Sequence, residues 1–213
     1  MNASLFNNKI DTSELDKFAA IIGENPSKGA RSPKLWNAVF EKDKLNYSMV
    51  PMDVSSHNLF NLLDNLEHES KFIGGAVAVP YKEKVFEWLG KNLTPEATKI
   101  GAVNCLFRDN NGHIKGTNTD GEGALKTFTE VFGVPKNKKI LLLGTGGAAK
   151  SVAAYFSSQL GPLGKMWMCG RDSHGKDYAK SLGIDFIFWN DVDNTLKKVD
   201  VVINCTSIGF GNQ

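Results

Sequence analysis

Long apolar runs are missing from this chain. No stretch reaches the roughly 20 residues that a helix needs to cross a bilayer, and the N-terminus is polar, so neither a membrane span nor a signal peptide is expected. Charge of one sign is missing as well. Lys and Arg number 25 against 23 Asp and Glu, a formal net charge of +2, which argues against nucleic acid or an anionic membrane as a partner. Lys136, Lys138 and Lys139 form the one basic cluster, and it reads as a solvated turn before a strand. Cysteine is scarce. Cys105, Cys169 and Cys205 show no C-x-x-C spacing, and each lies in or beside an apolar strand-like run. They read as buried free thiols, which suits a reducing, cytoplasmic setting. The four histidines are scattered without metal-ligand spacing, so no metal site is expected.

What is present is alternation. The composition, 41% apolar with 21 glycines, is that of an ordinary α/β protein. Strand patterns at 17–23, 45–52, 72–79 and 100–107 are interleaved with helical patterns at 32–41, 55–66 and 83–89. Ser32 and Pro33 supply a cap and a first helical residue. A turn at 109–112 and a helix at 120–132 lead to a second series of strands at 140–143, 165–169, 185–189 and 200–204. The expected fold is α/β, with two α/β domains at 1–112 and 113–213. A dinucleotide-binding sheet of the usual order has about two strands more than the second series provides, so the sequence reads as part of a longer protein.

Three segments carry chemistry. Residues 139–156 read strand, glycine turn, helix, with G-x-G-x-x-A at Gly144, Gly146 and Ala149. Gly144 allows the tight turn, Gly146 lets a pyrophosphate approach bare backbone, and Ala149 lets the helix pack closely on the strand. The helix then points its amide-rich end at the same spot, which favours an anion. In G-G-A-V-A-V-P-Y-K at 74–82, strand alternation puts Ala76, Ala78, Pro80 and Lys82 in one class. An amine held beside an apolar strand gives up its proton more readily, although most lysines are simply solvated. Asn104 interrupts the apolar run at 101–106, and a buried amide needs partners, either backbone loops or a polar ligand. Asp120 and Ser32 each open a helix, where such residues are common caps.

Taken together these segments resemble the shikimate dehydrogenase family. S-P-K-L-W-N at 32–37 is similar to the family's S-x-S-P-x-x-H-N, and A-V-A-V-P-Y-K at 76–82 to N-V-T-V-P-x-K. G-A-V-N at 101–104, N-T-D-G at 118–121, G-x-G-G-A-A at 144–149 and N-x-T-S-x-G at 204–209 agree directly. The resemblance implies an N-terminal substrate-binding domain, a Rossmann-like NAD(P)-binding domain whose C-terminal part is missing, and an active site between them. It implies hydride transfer between a nicotinamide and a ring hydroxyl or ketone of a small cyclic hydroxy acid, with NADP the usual cofactor and NAD possible. Lys82 and Asp120 fall on the family's proton-transfer pair. Ser32, Ala78 and Asn104 fall on substrate contacts. Gly144, Thr145, Gly146, Gly147, Ala148, Arg171, Asp172 and Thr206 fall on the cofactor site.

The departures bear on specificity. Ala30, Ala76 and Ala78 stand where the family has serine, asparagine and threonine, and Trp36 stands for its histidine. Each lost hydrogen bond is worth about 0.5–1.5 kcal/mol, so affinity for shikimate is expected to fall by about a hundredfold. Gly170-Arg171-Asp172 replaces the family's N-R-T. Arg171 suits a 2′-phosphate, Asp172 opposes one, and Lys176 offers compensation, so NADP is favoured slightly over NAD. A second reading is a non-catalytic ligand sensor on the same scaffold, favoured by the three alanines.

Overall fold

The structure is a computed structural model and describes residues 3–209. The chain divides into two units, one of Met1–Thr98 with Ala102–Thr117 and one of Lys99–Gly101 with Asn118–Gln213. Among the described residues no helix is long and apolar enough to cross a membrane.

In the first unit, strand β1 (Lys17–Gly23) is buried at every position after the first, because both of its faces are covered. Strands β2 (Tyr47–Asp53) and β3 (Phe72–Val77) flank it in parallel, and β4 (Cys105–Arg108) and β5 (Ile114–Thr117) extend the sheet antiparallel, giving the order β2-β1-β3-β4-β5. The helices are α1 (Ser32–Lys42), α2 (Leu59–Glu67) and α3 (Lys82–Leu89), followed by α4 (Pro95–Ile100), of which residues 95–98 belong to this unit. Helix α2 buries Leu59, Leu62, Leu63 and Leu66, the i, i+3, i+4, i+7 stripe, in one cluster with Phe18, Ile22, Phe72 and Val77. Each such leucine contributes about 1.5–3 kcal/mol by leaving water. On the opposite face, Phe40 of α1 packs with Ala19, Ile21 and Met49.

Strand β3 does not alternate simply. Its register against β1 runs Phe18 to Phe72 and then Ala19 to Gly74, skipping Ile73. Gly74 (φ +127°) and Gly75 (φ +147°) absorb the bulge. A Cβ at position 75 would lie 1.9 Å from the Ala20 carbonyl oxygen. As a result Phe72 and Val77, an odd number of residues apart, share the α2 side, while Ile73, Ala76 and Ala78 share the α1 side.

Several expected boundaries are corrected here. The strand expected at 72–79 ends at Val77, and Lys82 begins α3 rather than continuing the strand's parity. The strand expected at 100–107 begins only at Cys105, since Ile100 closes α4, so Asn104 lies in the bend before it. Ser32 is the first residue of α1; Arg31 holds the cap position and makes no side-chain cap bond. Strand β5 belongs to the first sheet. Of the three thiols only Cys169 is buried, while Cys105 and Cys205 are half-buried.

The second unit runs α5 (Asp120–Phe132), β6 (Lys139–Leu143), α6 (Gly147–Ser157), β7 (Lys165–Gly170), α7 (Lys176–Ser181), β8 (Asp185–Phe188), α8 (Val192–Leu196) and β9 (Val201–Asn204). Its four strands are all parallel in the order β8-β7-β6-β9. Ile140 and Leu142 of β6 are buried with Ala149, Val152, Ala153 and Phe156 of α6. Helix α5 packs on α6, with Phe128 edge-on to Phe156 at 5.4 Å. The direction of strand addition reverses between β6 and β9, and in such sheets the crevice at the carboxyl ends of the strands takes the ligand.

Candidate functional site

That crevice exists. A cavity of about 370 Å³ opens at the carboxyl ends of β6, β7 and β9. Gly144, Thr145 and Gly146 from the glycine turn, Arg171 after β7 and Thr206 after β9 all line it. Gly144 has φ +115°, and a Cβ there would come within 2.9 Å of the Cys205 carbonyl oxygen, so the turn needs glycine. A Cβ at Gly146 would meet no atom within 4 Å, which leaves bare backbone toward open space. Gly147 and Ala148 are the first two residues of α6, whose leading N–H groups lack partners within the helix. Ala149 is fully buried. These features fit a dinucleotide pyrophosphate.

The remaining cofactor candidates divide. Arg171 is exposed and borders the cavity. Asp172 does not border it, and its carboxylate accepts the His174 backbone N–H at 2.9 Å. Thr206 is held by Asn204, whose Oδ1 accepts both its N–H (2.9 Å) and its hydroxyl (2.7 Å). Its Oγ1 accepts the Ile208 N–H at 3.2 Å, so N-x-T-S-x-G is also a turn-forming motif. Residues outside the expected cofactor set also line the cavity, Trp189 and Cys169 among them. Trp189, just past β8, forms part of the wall, and its position after a third strand is the signal that points to it. Cys169 lies on another side; burial, with Asp191 adding to it, pushes its thiol above the ordinary value and keeps it protonated.

In the first unit, backbone bonds hold the segments that carry Lys82 and Asn104. The Val103 N–H donates to the Lys82 carbonyl at 2.9 Å. The neighbouring Asn104 carbonyl accepts the Val77 N–H at 2.8 Å, and the Asn104 N–H donates to Thr117 at 3.1 Å. Asn104 is therefore tied to the ends of β3 and β5, next to the residue bonded to Lys82, and both Lys82 and Asn104 are half-buried. The turn leading to Lys82 is anchored by Tyr81, 1% exposed, whose hydroxyl donates to the Val54 carbonyl at 2.6 Å. Burial, then the Glu24 charge, pushes the Tyr81 phenol above its usual value. Ala30, Ala76 and Ala78 all pack against the small cluster under α1, so that side of β3 is apolar. The loop carrying Ala30 is held by Asp53, 7% exposed, which accepts the Ser27 N–H at 2.9 Å. Asp120 is half-buried and begins α5 in the second unit. Among the described residues no group of three or more His, Cys, Asp or Glu is placed to hold a metal ion.

Residues 21–106 match the family model described as the shikimate dehydrogenase substrate binding domain. The chain is 31% identical over 200 residues to the shikimate dehydrogenase (NADP(+)) of Methanococcus vannielii, covering 89% of this chain and 68% of that protein. Shikimate dehydrogenase from Aquifex aeolicus superposes with a TM-score of 0.81 at 27% identity, over 100% of this chain and 73% of that one. A shikimate dehydrogenase solved in complex with NADP+ superposes with a TM-score of 0.79 at 30% identity, over 92% and 69%.

Proposed function

The chain belongs to the shikimate dehydrogenase family, and from that premise we propose that it is an NADP-dependent oxidoreductase acting on a ring hydroxyl or ketone of a small cyclic hydroxy acid. The observation that carries the reading is the crevice shared by Gly144, Thr145, Gly146, Arg171 and Thr206. The nicotinamide supplies the hydride chemistry when bound. The N–H groups at Gly147 and Ala148 hold the pyrophosphate, and the Arg171 guanidinium takes the adenosine 2′-phosphate. The Asp172 carboxylate, engaged with its own loop, supports NADP over NAD.

On this reading Lys82 takes the hydroxyl proton as hydride leaves the ring carbon, and returns it in the reduction direction. Asp120 holds the same hydroxyl, Asn104 hydrogen-bonds a second ring hydroxyl, and Ser32 meets the substrate carboxylate. Ala78 lines the pocket without a hydrogen bond to give. With Ala30 and Ala76 it favours a ring acid carrying fewer hydroxyls than shikimate, because a buried ligand hydroxyl without a partner costs about 1–3 kcal/mol.

In the full-length protein, Lys82→Ala is expected to lower kcat by about 10²–10⁴ with circular dichroism unchanged. The three alanines also favour a ligand sensor without turnover. On that reading no cyclic hydroxy acid is oxidised, and ligand binding survives Lys82→Ala. Turnover of shikimate at the rate of ordinary relatives would refute the altered substrate. Binding of NAD tenfold tighter than NADP would refute the cofactor choice.

A further inference from the structure

We infer that Ser151, on the buried side of α6, is a positioning residue for Asp120; the inference rests on the proton-transfer role proposed for that carboxylate. The first N–H groups of a helix have no acceptor within it. In α5 the residue at the cap position, Thr119, makes no side-chain cap bond. The acceptors come from elsewhere. Ser151 Oγ accepts the Gly121 N–H at 2.7 Å and donates to Asn118 Oδ1 at 2.9 Å. Asn118 Oδ1 in turn accepts the Asp120 N–H at 3.1 Å. One hydroxyl on α6 thus holds the backbone on both sides of the Asp120 side chain.

The arrangement is built in, and water is excluded from it. Ser151 is 0% and Asn118 1% exposed. Gly121 is buried too, and a Cβ there would lie 2.2 Å from the Ser151 carbonyl oxygen, so the two helices touch at backbone distance. Bonds in such a dry network reinforce one another, and removal of one member leaves the others short of a partner. Ser151 lies one turn beyond Gly147, where α6 begins at the nucleotide crevice. The same rigid helix therefore sets both the glycine turn and the start of α5. Ser151 itself is absent from the cavity wall.

The test is a double-mutant cycle in the full-length protein, read by kcat, the pH profile of kcat/KM and NADP affinity. Ser151→Ala is expected to lower kcat about tenfold, the effect of about one hydrogen bond lost, and to move the pH profile, with NADP affinity unchanged. In an Asp120→Asn background the same change should have no further effect on kcat. Ser157→Ala, which removes another hydroxyl from α6, should leave kcat as it was. Equal losses from Ser151→Ala in both backgrounds, or a loss that follows NADP affinity, would overturn the inference. A kcat unchanged by Asp120→Asn alone would overturn the role of Asp120 itself, a separately readable result that removes this inference with it. If Ser151→Ala does not fold, Ser151→Cys, which keeps the volume and weakens both bonds, is read by the same cycle.

Discussion

The two sheets put glycine to different uses. In the first, Gly74 and Gly75 lie inside β3, where each would drive a Cβ into the backbone of a neighbouring strand. In the second, Gly144 and Gly146 lie beyond the end of β6, one against the Cys205 carbonyl and the other toward open space. The first pair sets register, and therefore which side chains share a face. The second pair leaves bare backbone at the mouth of the crevice, the room that the proposed cofactor site requires. Glycine in a strand interior is thus a packing constraint in the first unit, while glycine at a strand's carboxyl end is, on the proposed function, a binding device in the second.

Substitution can separate the two uses. Gly75→Ala should have the largest effect. A Cβ at 1.9 Å from a carbonyl oxygen cannot be accommodated without parting β1 from β3, so a loss above about 3 kcal/mol is expected in urea unfolding. Normal stability in the Gly75→Ala protein would break the contrast. Next come the turn glycines, which should divide stability from binding. Gly144→Ala, at φ +115°, should destabilise by about 1–3 kcal/mol and also weaken NADP binding. Gly146→Ala, with a permitted φ of −79° and no nearby atom, should cost about 1 kcal/mol or less yet weaken NADP about tenfold or more. Calorimetry and cofactor titration on the same samples measure both.

The smallest effect concerns Tyr178 in the second unit, whose hydroxyl donates to the Lys150 carbonyl at 3.0 Å. Burial pushes this phenol up to about 12 from 10.0. The folded state therefore prefers the neutral form. That contribution is complete below pH 10 and declines as pH rises toward 12, since the unfolded chain releases the proton first. Tyr178→Phe should flatten the fall of stability with pH across that window, and an unchanged slope would place the phenol elsewhere.

The second unit is the more legible in sequence, for a physical reason. Strands buried on both faces are continuous apolar runs, and Ile140 to Leu142 are all fully buried in β6. The helix read at 120–132 coincides with α5. The first unit hides more. β5 has four residues, too few to show a period, and no strand is expected there from sequence. Lys82 takes strand parity on paper because periodicity cannot see that the chain turns after Val77. Asn104 reads as a strand residue because Ala102 and Val103 beside it are apolar, although all three precede β4 and Asn104 forms the bend. Ser151 gives no signal of its task, since its partners lie 30 and 33 residues away along the chain.

The skipped residue at Ile73 has a bearing on inheritance. Because the offset turns Ala76 and Ala78 away from the leucine-rich packing that holds α2, exchanges at those two positions fall on the side of the small patch around Phe40. If this strand meets the substrate as proposed, a lineage can rewrite what it offers while leaving untouched the interior on which the unit's endurance depends.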